Sequence, residues 1–413
     1  MCDNTLQQEP NVMTASSAQT LSTAPLPTLN GLDLRGKRVL LRVDLNVLRD
    51  EAGIPLDTFR ISAILPTLKR LLRDGARVGI LTHWGRPGGR VVPALSTQPL
   101  AELLSELLGQ SVPHVPDCIG RVAENAMNSL EPGHVVMLEN VRFHLGEQLN
   151  QSVFVEQLCR LADVFVNDAF ATAHRAHAST SGLMAAMPQA VVGELMLQEL
   201  DNMRMLGMPM GKGSLLILGG SGVEEKLDLL RHMLGHVDVI MLGGTLANTF
   251  LAARDLGMGR SSLAPTHVDK ARELLTEAGV VGCRLHLPQD VWVKGADGAK
   301  PVATHLIGSN ESVVDIGPNT LEMWTKIARS ASKVLMLGSL GVVEHDEGQR
   351  ATRGLLKALD GHSDFSLVGG EALLPLIAQE GLTTKLRAIT TGSAALVHGL
   401  AGKPYPFRQV MKI

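Results

Sequence analysis

The chain is poor in aromatic residues and in cysteine. Aromatic side chains make up 3% of its 413 residues and Tyr405 is the only tyrosine, which argues against a base-stacking surface and against an aromatic-rich carbohydrate groove. The cysteines, Cys2, Cys118, Cys159 and Cys283, lie far apart and in no CxxC or Cys/His ligand spacing. That excludes a disulfide-stapled scaffold and fits reduced thiols in a cytoplasmic chain. No segment approaches the ~18 consecutive apolar residues of a membrane span, so no membrane role is expected. Charge of one sign is also lacking: 38 Lys and Arg stand against 41 Asp and Glu, a net charge of −3. No global positive field attracts nucleic acid, and any anion site must be a local cluster. An apolar content of 45% against 19% charged residues places the bulk of the chain among globular proteins with cores of Leu, Val, Ala and Met.

At roughly 100–200 residues per domain, the length predicts two or three domains. Residues 1–28 are rich in Ser, Thr, Gln and Pro and contain no Lys or Arg. They read as a disordered extension or, alternatively, a docking tail, and not as a signal or transit peptide. From residue 36 onward, short Leu- or β-branched runs alternate with longer amphipathic segments, the pattern of βα units on a parallel sheet. Strands are expected at 37–43, 76–82, 134–138 and 162–167, then at 214–218, 237–242, 333–337, 365–368 and 386–390; helices are expected at 60–74 and 97–108. Residues 193–206 place apolar side chains at helical spacing without proline and predict a helix joining two domains. The fold class expected is α/β: two doubly wound, Rossmann-like parallel-sheet domains over 29–192 and 211–399, joined by a hinge helix and linker at 193–210. The GxxxGKGS at 207–214 is one residue short of a Walker A loop and precedes its strand, so it is not read as one.

In open α/β sheets ligands bind beyond the carboxyl ends of the strands, and the two halves differ there. The first half offers Asp44 and Asn46, His83 and Arg86, Arg142, then Asn167, Asp168, His174 and Arg175, with Arg60 opening a helix. Any one arginine reads as a surface charge or the partner of an acid. Their recurrence after successive strands predicts a site for a small, multiply charged anion. His83 and His174 lack metal-ligand spacing and fit structural roles. The second half offers glycine: Gly219 and Gly220, Gly243 and Gly244, Gly338 and Gly341, Gly369 and Gly370, and Gly392. Each pair alone fits a tight βα turn, but recurrence across the strands suits backbone contact with nucleotide phosphates. The composite is phosphoryl transfer between a small anion and a nucleotide across a cleft.

From about residue 30, these residues in this order resemble the phosphoglycerate kinase family. RVDLNV (42–47) is similar to the family's RVDFNV, DTFRISAILPT (57–67) to DDTRIRAALPT and THWGRP (82–87) to SHLGRP. LENVRFHLGE (138–147) and FVNDAFATAHRAHAST (165–180) are close to LENLRFHxGE and YVNDAFGTAHRAHAS. The resemblance implies a monomeric two-domain kinase that binds 3-phosphoglycerate or 1,3-bisphosphoglycerate on the first domain and ATP or ADP with Mg2+ on the second. It also implies that residues 400–413 return to complete the first domain. Carried over, the phosphoglycerate ligands are Arg42, Asp44, Asn46, Arg60, His83, Arg86, Arg142 and Arg175, with Arg60 also stabilising the transferring phosphoryl group. The nucleotide contacts are Gly219, Gly220, Lys226, Gly243, Gly244, Glu344, Gly369, Gly370 and Gly392.

The second half departs from the family at its loops. GGAKVSDK becomes GGSGVEEK (219–226), with Gly222 in place of a phosphate-facing lysine. Glu224 and Glu225 there suit a helix start but repel phosphate. GGGDS becomes GGEAL, read with Glu371 in place of the aspartate that serves bound magnesium. TGGGAS becomes TGSAAL (391–396) and NGPMGVFE becomes LGSLGVVE (337–344), while GGTLANTF (243–250) and DIGP (315–318) still match. These changes leave three outcomes open: a phosphoglycerate kinase of full or reduced activity; a catalytically silent phosphoglycerate-binding or regulatory protein; or an enzyme with another phosphoryl donor or acceptor.

Overall fold

A computed structural model describes residues 25–50, 55, 58–362 and 364–411. Its first half is a six-stranded parallel sheet of β1 (Arg38–Arg42), β2 (Arg77–Leu81), β3 (His114–Val115), β4 (Val135–Leu138), β5 (Val164–Asn167) and β6 (Ala190–Val192), in the order β3-β4-β2-β1-β5-β6. Its second half is another parallel sheet, ordered β15-β14-β13-β7-β8-β9. Here β7 is Gly211–Leu218, β8 Val237–Leu242, β9 Arg284–His286, β13 Lys333–Leu337, β14 Phe365–Gly369 and β15 Ala388–Thr390. Central strands such as VVML of β4 and FSLVG of β14 are buried along their whole length. Burial on both faces explains why they read as continuous apolar runs without alternation.

A 13-residue helix, Glu194–Leu206, runs from β6 towards β7. Its Met196, Leu200 and Met203 enter one apolar cluster with Phe165 and Phe170 of the first half and Leu216 and Leu396 of the second. Tyr405 and Phe407, near the chain end, join that cluster, and the Tyr405 ring meets the Phe170 ring edge-on at 6.1 Å. The last helix, Pro406–Gln409, therefore packs on the first half.

Several elements differ from expectation. Of the extension expected over 1–28, residues 1–24 lie outside the described residues, but residues 25–28 belong to the fold. The Pro27 carbonyl accepts from Val192 N at 2.9 Å and Thr28 bridges Val192 of β6. Apolar Leu26 packs on the core, which outweighs the polar composition around it. The single helix expected at 60–74 is split into Phe59–Ala63 and Leu65–Arg73, with Pro66 in the first turn of the second. Proline is accommodated there because it carries no N–H to bond back into the preceding turn.

A three-stranded sheet, β11-β10-β12, was not expected. It comprises β10 (Asp290–Gly295), β11 (Gly298–Ala303) and β12 (Ser312–Ile316), paired antiparallel. The Asp297-Gly298 hairpin signal after VWV was available to find it. The short edge strands β3, β6 and β9 also escaped, having too few residues to show a period.

Candidate active site between the two sheets

Both sheets aim their carboxyl ends at one cleft of about 880 Å³, within the usual size range of ligand sites. In the first half, β1 flanked by β2 and β5 is the point where strand order reverses, and the loops leaving these strands deliver the polar groups. Asp44 closes a turn by accepting from Asn46 N at 2.9 Å. The Asn46 side chain then accepts from Gly85 N at 2.8 Å, tying the β1 loop to the β2 loop. Buried Arg60 lies across this turn, its Nη1 donating to the Asn46 carbonyl at 2.7 Å and to Asp44 Oδ1 at 3.3 Å. Its Nε has no hydrogen-bond partner among the described residues.

Arg142 donates through Nη1 to the Gly85 carbonyl at 2.7 Å, and its buried Nε is likewise unpartnered. Arg175 donates through Nε to His174 Nε2 at 3.2 Å. Arg86, Arg142 and Arg175 together line a side recess of about 330 Å³ that contains Gly88 and Gln148 but no acid. Three guanidiniums converge in this recess with no carboxylate lining it among the described residues, an arrangement suited to an anion.

The electrostatics agree. Burial alone would push the Asp44 carboxyl up, but His83, Arg60 and Arg42 outweigh it and hold the group at about 2. His83 is driven well below the usual histidine range, chiefly by burial, with Arg42, Arg142 and Arg175 adding to it. Burial and the neighbouring arginines likewise lower His174 and His177 to about 4 and Arg142 to about 10. The site holds more positive charge than its own acids balance, a surplus that a bound anion relieves.

Arg42 is the exception among the expected ligands. It is fully enclosed at 1% exposure and does not line the cleft. Its Nε donates to Ser179 Oγ at 2.7 Å, Nη1 to the Val43 carbonyl and Nη2 to His83 Nδ1 at 3.3 Å, while Ser179 donates on to buried Glu147 at 2.7 Å. As the last residue of β1 it points into the layer beneath the loops. It positions His83, leaving Nε2 as that ring's donor, and is not itself a contact.

The second-half wall is mostly main chain. Gly220, Gly244, Gly338, Gly370 and Gly392 line the cleft, as do Lys226 and Glu344. Gly220 and Gly370 have φ of +78° and +143°, backbone that a side chain would strain, so both turns bring main chain to the cleft without a Cβ; the Gly220 N–H is itself spent on the Ser339 carbonyl at 2.7 Å. Gly219, Gly243 and Gly369 do not line it. A Cβ on them would lie 2.0 Å from the Ser339 carbonyl oxygen, 2.4 Å from Leu340 Cδ2 and 2.1 Å from Thr390 Cγ2. They are glycine because neighbouring loops pack against them, and they shape the wall from behind.

Lys226 Nζ donates to the Gly219 carbonyl, and burial lowers the ammonium to about 8 against the pull of Glu225. Of the helix-start acids, Glu225 faces the cleft and Glu224 does not. Sequence reasoning missed His398 and Lys403, which also line the cleft; Lys403 is paired with Asp228 at 3.2 Å. They come from the helix Ser393–Leu400 and the turn after it, not from a loop directly following a strand.

Around the cleft, among other contacts, the second half meets the first half and the connecting helix. The Gly392 backbone abuts Ala171, so that a Cβ there would lie 2.5 Å from Ala171 Cα. Glu199 Oε1 accepts from Thr391 N and Oγ1, both at 2.6 Å. Arg60 Nη2 donates to Glu371 Oε1 at 3.3 Å.

The chain matches the family model described as phosphoglycerate kinase over residues 29–403. It is 40% identical over 385 residues to the phosphoglycerate kinase of Pelotomaculum thermopropionicum, covering 92% of this chain and 97% of that protein. It is 38% identical over 383 residues to that of Moorella thermoacetica, with the same coverage. Among solved structures it is similar to phosphoglycerate kinase from Coxiella burnetii, with a TM-score of 0.75 and 34% identity over 94% of this chain and 98% of that one. The enzyme from Pyrococcus horikoshii gives a TM-score of 0.85 at 29% identity over the same shares.

The chain belongs to the phosphoglycerate kinase family. Membership makes it a phosphotransferase by descent, and it fixes the register in which the altered loops are compared. Counted position by position, GGEAL places Glu371 on the third glycine of GGGDS and Ala372 on its aspartate. The reading of Glu371 as that aspartate's replacement is therefore corrected. The glycine turns leave this wall of the cleft without side chains, and Lys226 brings an ammonium to it. The carboxylates do not fit a magnesium ion held by the protein, because Ala372 has none and Glu371 is engaged by Arg60.

A possible metal cluster lies elsewhere: Asp117, Cys118 and His144 place ligand atoms within 4.8 Å of one another. Asp117 Oδ1 already accepts from Cys118 N, Ile119 N and His144 Nε2. Burial, with Asp117 and Glu147, pushes the Cys118 thiol well up. The group is accounted for as a hydrogen-bonded turn.

Proposed function

We propose that the chain transfers phosphoryl between ATP and 3-phosphoglycerate (1,3-bisphosphoglycerate + ADP = 3-phosphoglycerate + ATP) by in-line displacement without a covalent enzyme intermediate. The supporting observation is a single cleft with unbalanced guanidiniums on one wall and glycine turns on the other. Arg86, Arg142 and Arg175 hold the acceptor's phosphate in the three-arginine recess, and Asp44, Asn46 and His83 hold its glycerate portion. Arg60, whose buried Nε has no partner among the described residues, stabilises charge on the transferring group. Gly220, Gly244, Gly338, Gly370, Gly392 and Lys226 receive the nucleotide phosphates, with Glu344 at the ribose. Magnesium carried in by the nucleotide supplies neutralisation of phosphate charge.

In this reading residues 29–192, completed by 400–413, form the acceptor half, 211–399 the nucleotide half, and 193–210 the connection. The protein works as a cytoplasmic monomer on small molecules. No helix among the described residues is long and apolar enough to cross a membrane.

A second reading, a phosphoglycerate binder without turnover, is favoured by Glu371 on Arg60 and by the missing cation at Gly222. Thermal unfolding tests the acceptor site that both readings share. Millimolar 3-phosphoglycerate should raise the melting temperature of the wild type, and Arg142→Ala should lose that rise. No stabilisation of the wild type would sink both readings.

A further inference from the structure

Among the described residues, Arg60 bonds its own half through Nη1, which donates to Asp44 and the Asn46 carbonyl. The other terminal nitrogen, Nη2, is held from across the cleft by Glu371 at 3.3 Å. The partners are unequal: the Arg60 side chain is 6% exposed and that of Glu371 57%. Glu371 stands where the family motif has a glycine, on the turn after β14, so it is a carboxylate added to a loop otherwise shaped to expose backbone. Both residues line the cleft.

We infer that Glu371 is a built-in competitor for Arg60: a carboxylate lent by the nucleotide half that occupies the guanidinium until substrate displaces it. The inference rests on the proposed function, in which the acceptor group is itself a carboxylate and Arg60 must face the transferring phosphoryl oxygens. A carboxylate on Nη2 lies where negative charge is to gather, so the pair opposes both acceptor binding and transfer while it lasts. It opens readily because one partner is solvated. Water takes over the Glu371 charge, whereas buried Arg60 keeps Asp44 and the Asn46 carbonyl on Nη1 and leaves Nη2 for a ligand's oxygen. The empty cleft thus keeps a buried arginine neutralised, at the expense of weaker acceptor capture.

The test measures 3-phosphoglycerate affinity by calorimetry for the wild type, Glu371→Gln, Arg60→Ala and the double variant, with turnover recorded beside it. Gln keeps the size of Glu and removes the charge. Glu371→Gln should bind 3-phosphoglycerate about tenfold more tightly, one charge-assisted contact's worth of competition, and its kcat should not fall. In the Arg60→Ala background the same substitution should change affinity less than twofold, because the group competed for is gone. Glu371→Asp, charged but one methylene shorter, should behave as a partial release. An unchanged or weaker affinity in Glu371→Gln, or a gain that persists without Arg60, overturns the competitor role while leaving acceptor binding established. Absence of 3-phosphoglycerate binding in a folded wild type overturns the proposed function first and the competitor role with it.

Discussion

The two walls of the cleft hold their functional groups by different means. On the first-half wall, charge arrives on side chains locked from behind. Asn46 bridges two loops, Arg142 is pinned to Gly85, and Arg42 buttresses His83 through a buried chain that ends at Glu147. On the second-half wall, contact is offered by turns whose packing from behind forbids side chains at Gly219, Gly243 and Gly369. A side-chain site declares itself in residue types. A main-chain site is written only as missing side chains, and its chemistry changes when a loop position acquires one, as at Glu371, Ser393 and Ala394. The first wall therefore keeps the family's pattern while the second carries the differences.

The largest expected effect lies at the meeting of the walls. Arg60→Ala should lower turnover by about 10³-fold or more, the scale of losing an arginine that stabilises transferring phosphoryl, against a near-neutral Arg204→Ala surface control in the same assay. An equal effect of the two would remove Arg60 from the transfer step.

Next, Gly222→Lys should sharpen the contrast by restoring a cation to the second wall. The backbone at φ −69° admits any side chain. The nearest atom to a Cβ there is Glu225 Oε2 at 2.9 Å, the end of a movable chain. Turnover should rise by about 10²-fold, the scale of one preorganised charge donor. A folded variant with no gain would mean that the missing lysine does not limit the rate.

A smaller effect concerns pH. Burial lowers Lys226 to about 8, so in the free protein its charge is lost as pH rises through that value. ADP affinity measured by calorimetry should fall severalfold from pH 7 to pH 9, and Lys226→Arg, which keeps its charge, should flatten the profile. A wild-type profile already flat would separate Lys226 from the phosphates.

The least effect is on stability in acid. Asp44 has a folded value of about 2 below its ordinary 3.8. The stabilisation it gives is complete above about pH 4 and is lost as pH falls through 2. The loss is on the order of 2 kcal/mol. Acid unfolding of Asp44→Asn should show a shallower decline over that window than the wild type; parallel curves would contradict the assignment.

Much of this was legible in the chain because buried parallel strands leave continuous apolar runs and the loops after them carry the chemistry. The β1, β2, β4 and β5 loops delivered Asp44, Asn46, His83, Arg86, Arg142 and Arg175 to one cleft. What could not be read depended on direction and packing. Arg42 looks like its neighbours in RVDLNV, and only the pleat of β1 shows that it points beneath the site. Lining glycines and packing glycines are identical letters, and only the distance to Ser339 or Leu340 separates them. The Glu371 contact joins residues 311 positions apart, beyond any local pattern. The β10–β12 sheet is hard to read because β11, GAKPVA, has no apolar run, and its hairpin is marked only by Asp297-Gly298.

The most direct measurement is steady-state turnover with MgATP and 3-phosphoglycerate at high enzyme concentration, following ADP release beside Arg60→Ala. Turnover by the wild type that Arg60→Ala abolishes is the predicted result, and would show that the altered second wall still completes a kinase site. No turnover by a protein that demonstrably binds 3-phosphoglycerate would contradict transfer across the cleft and leave the first wall as a binding site alone.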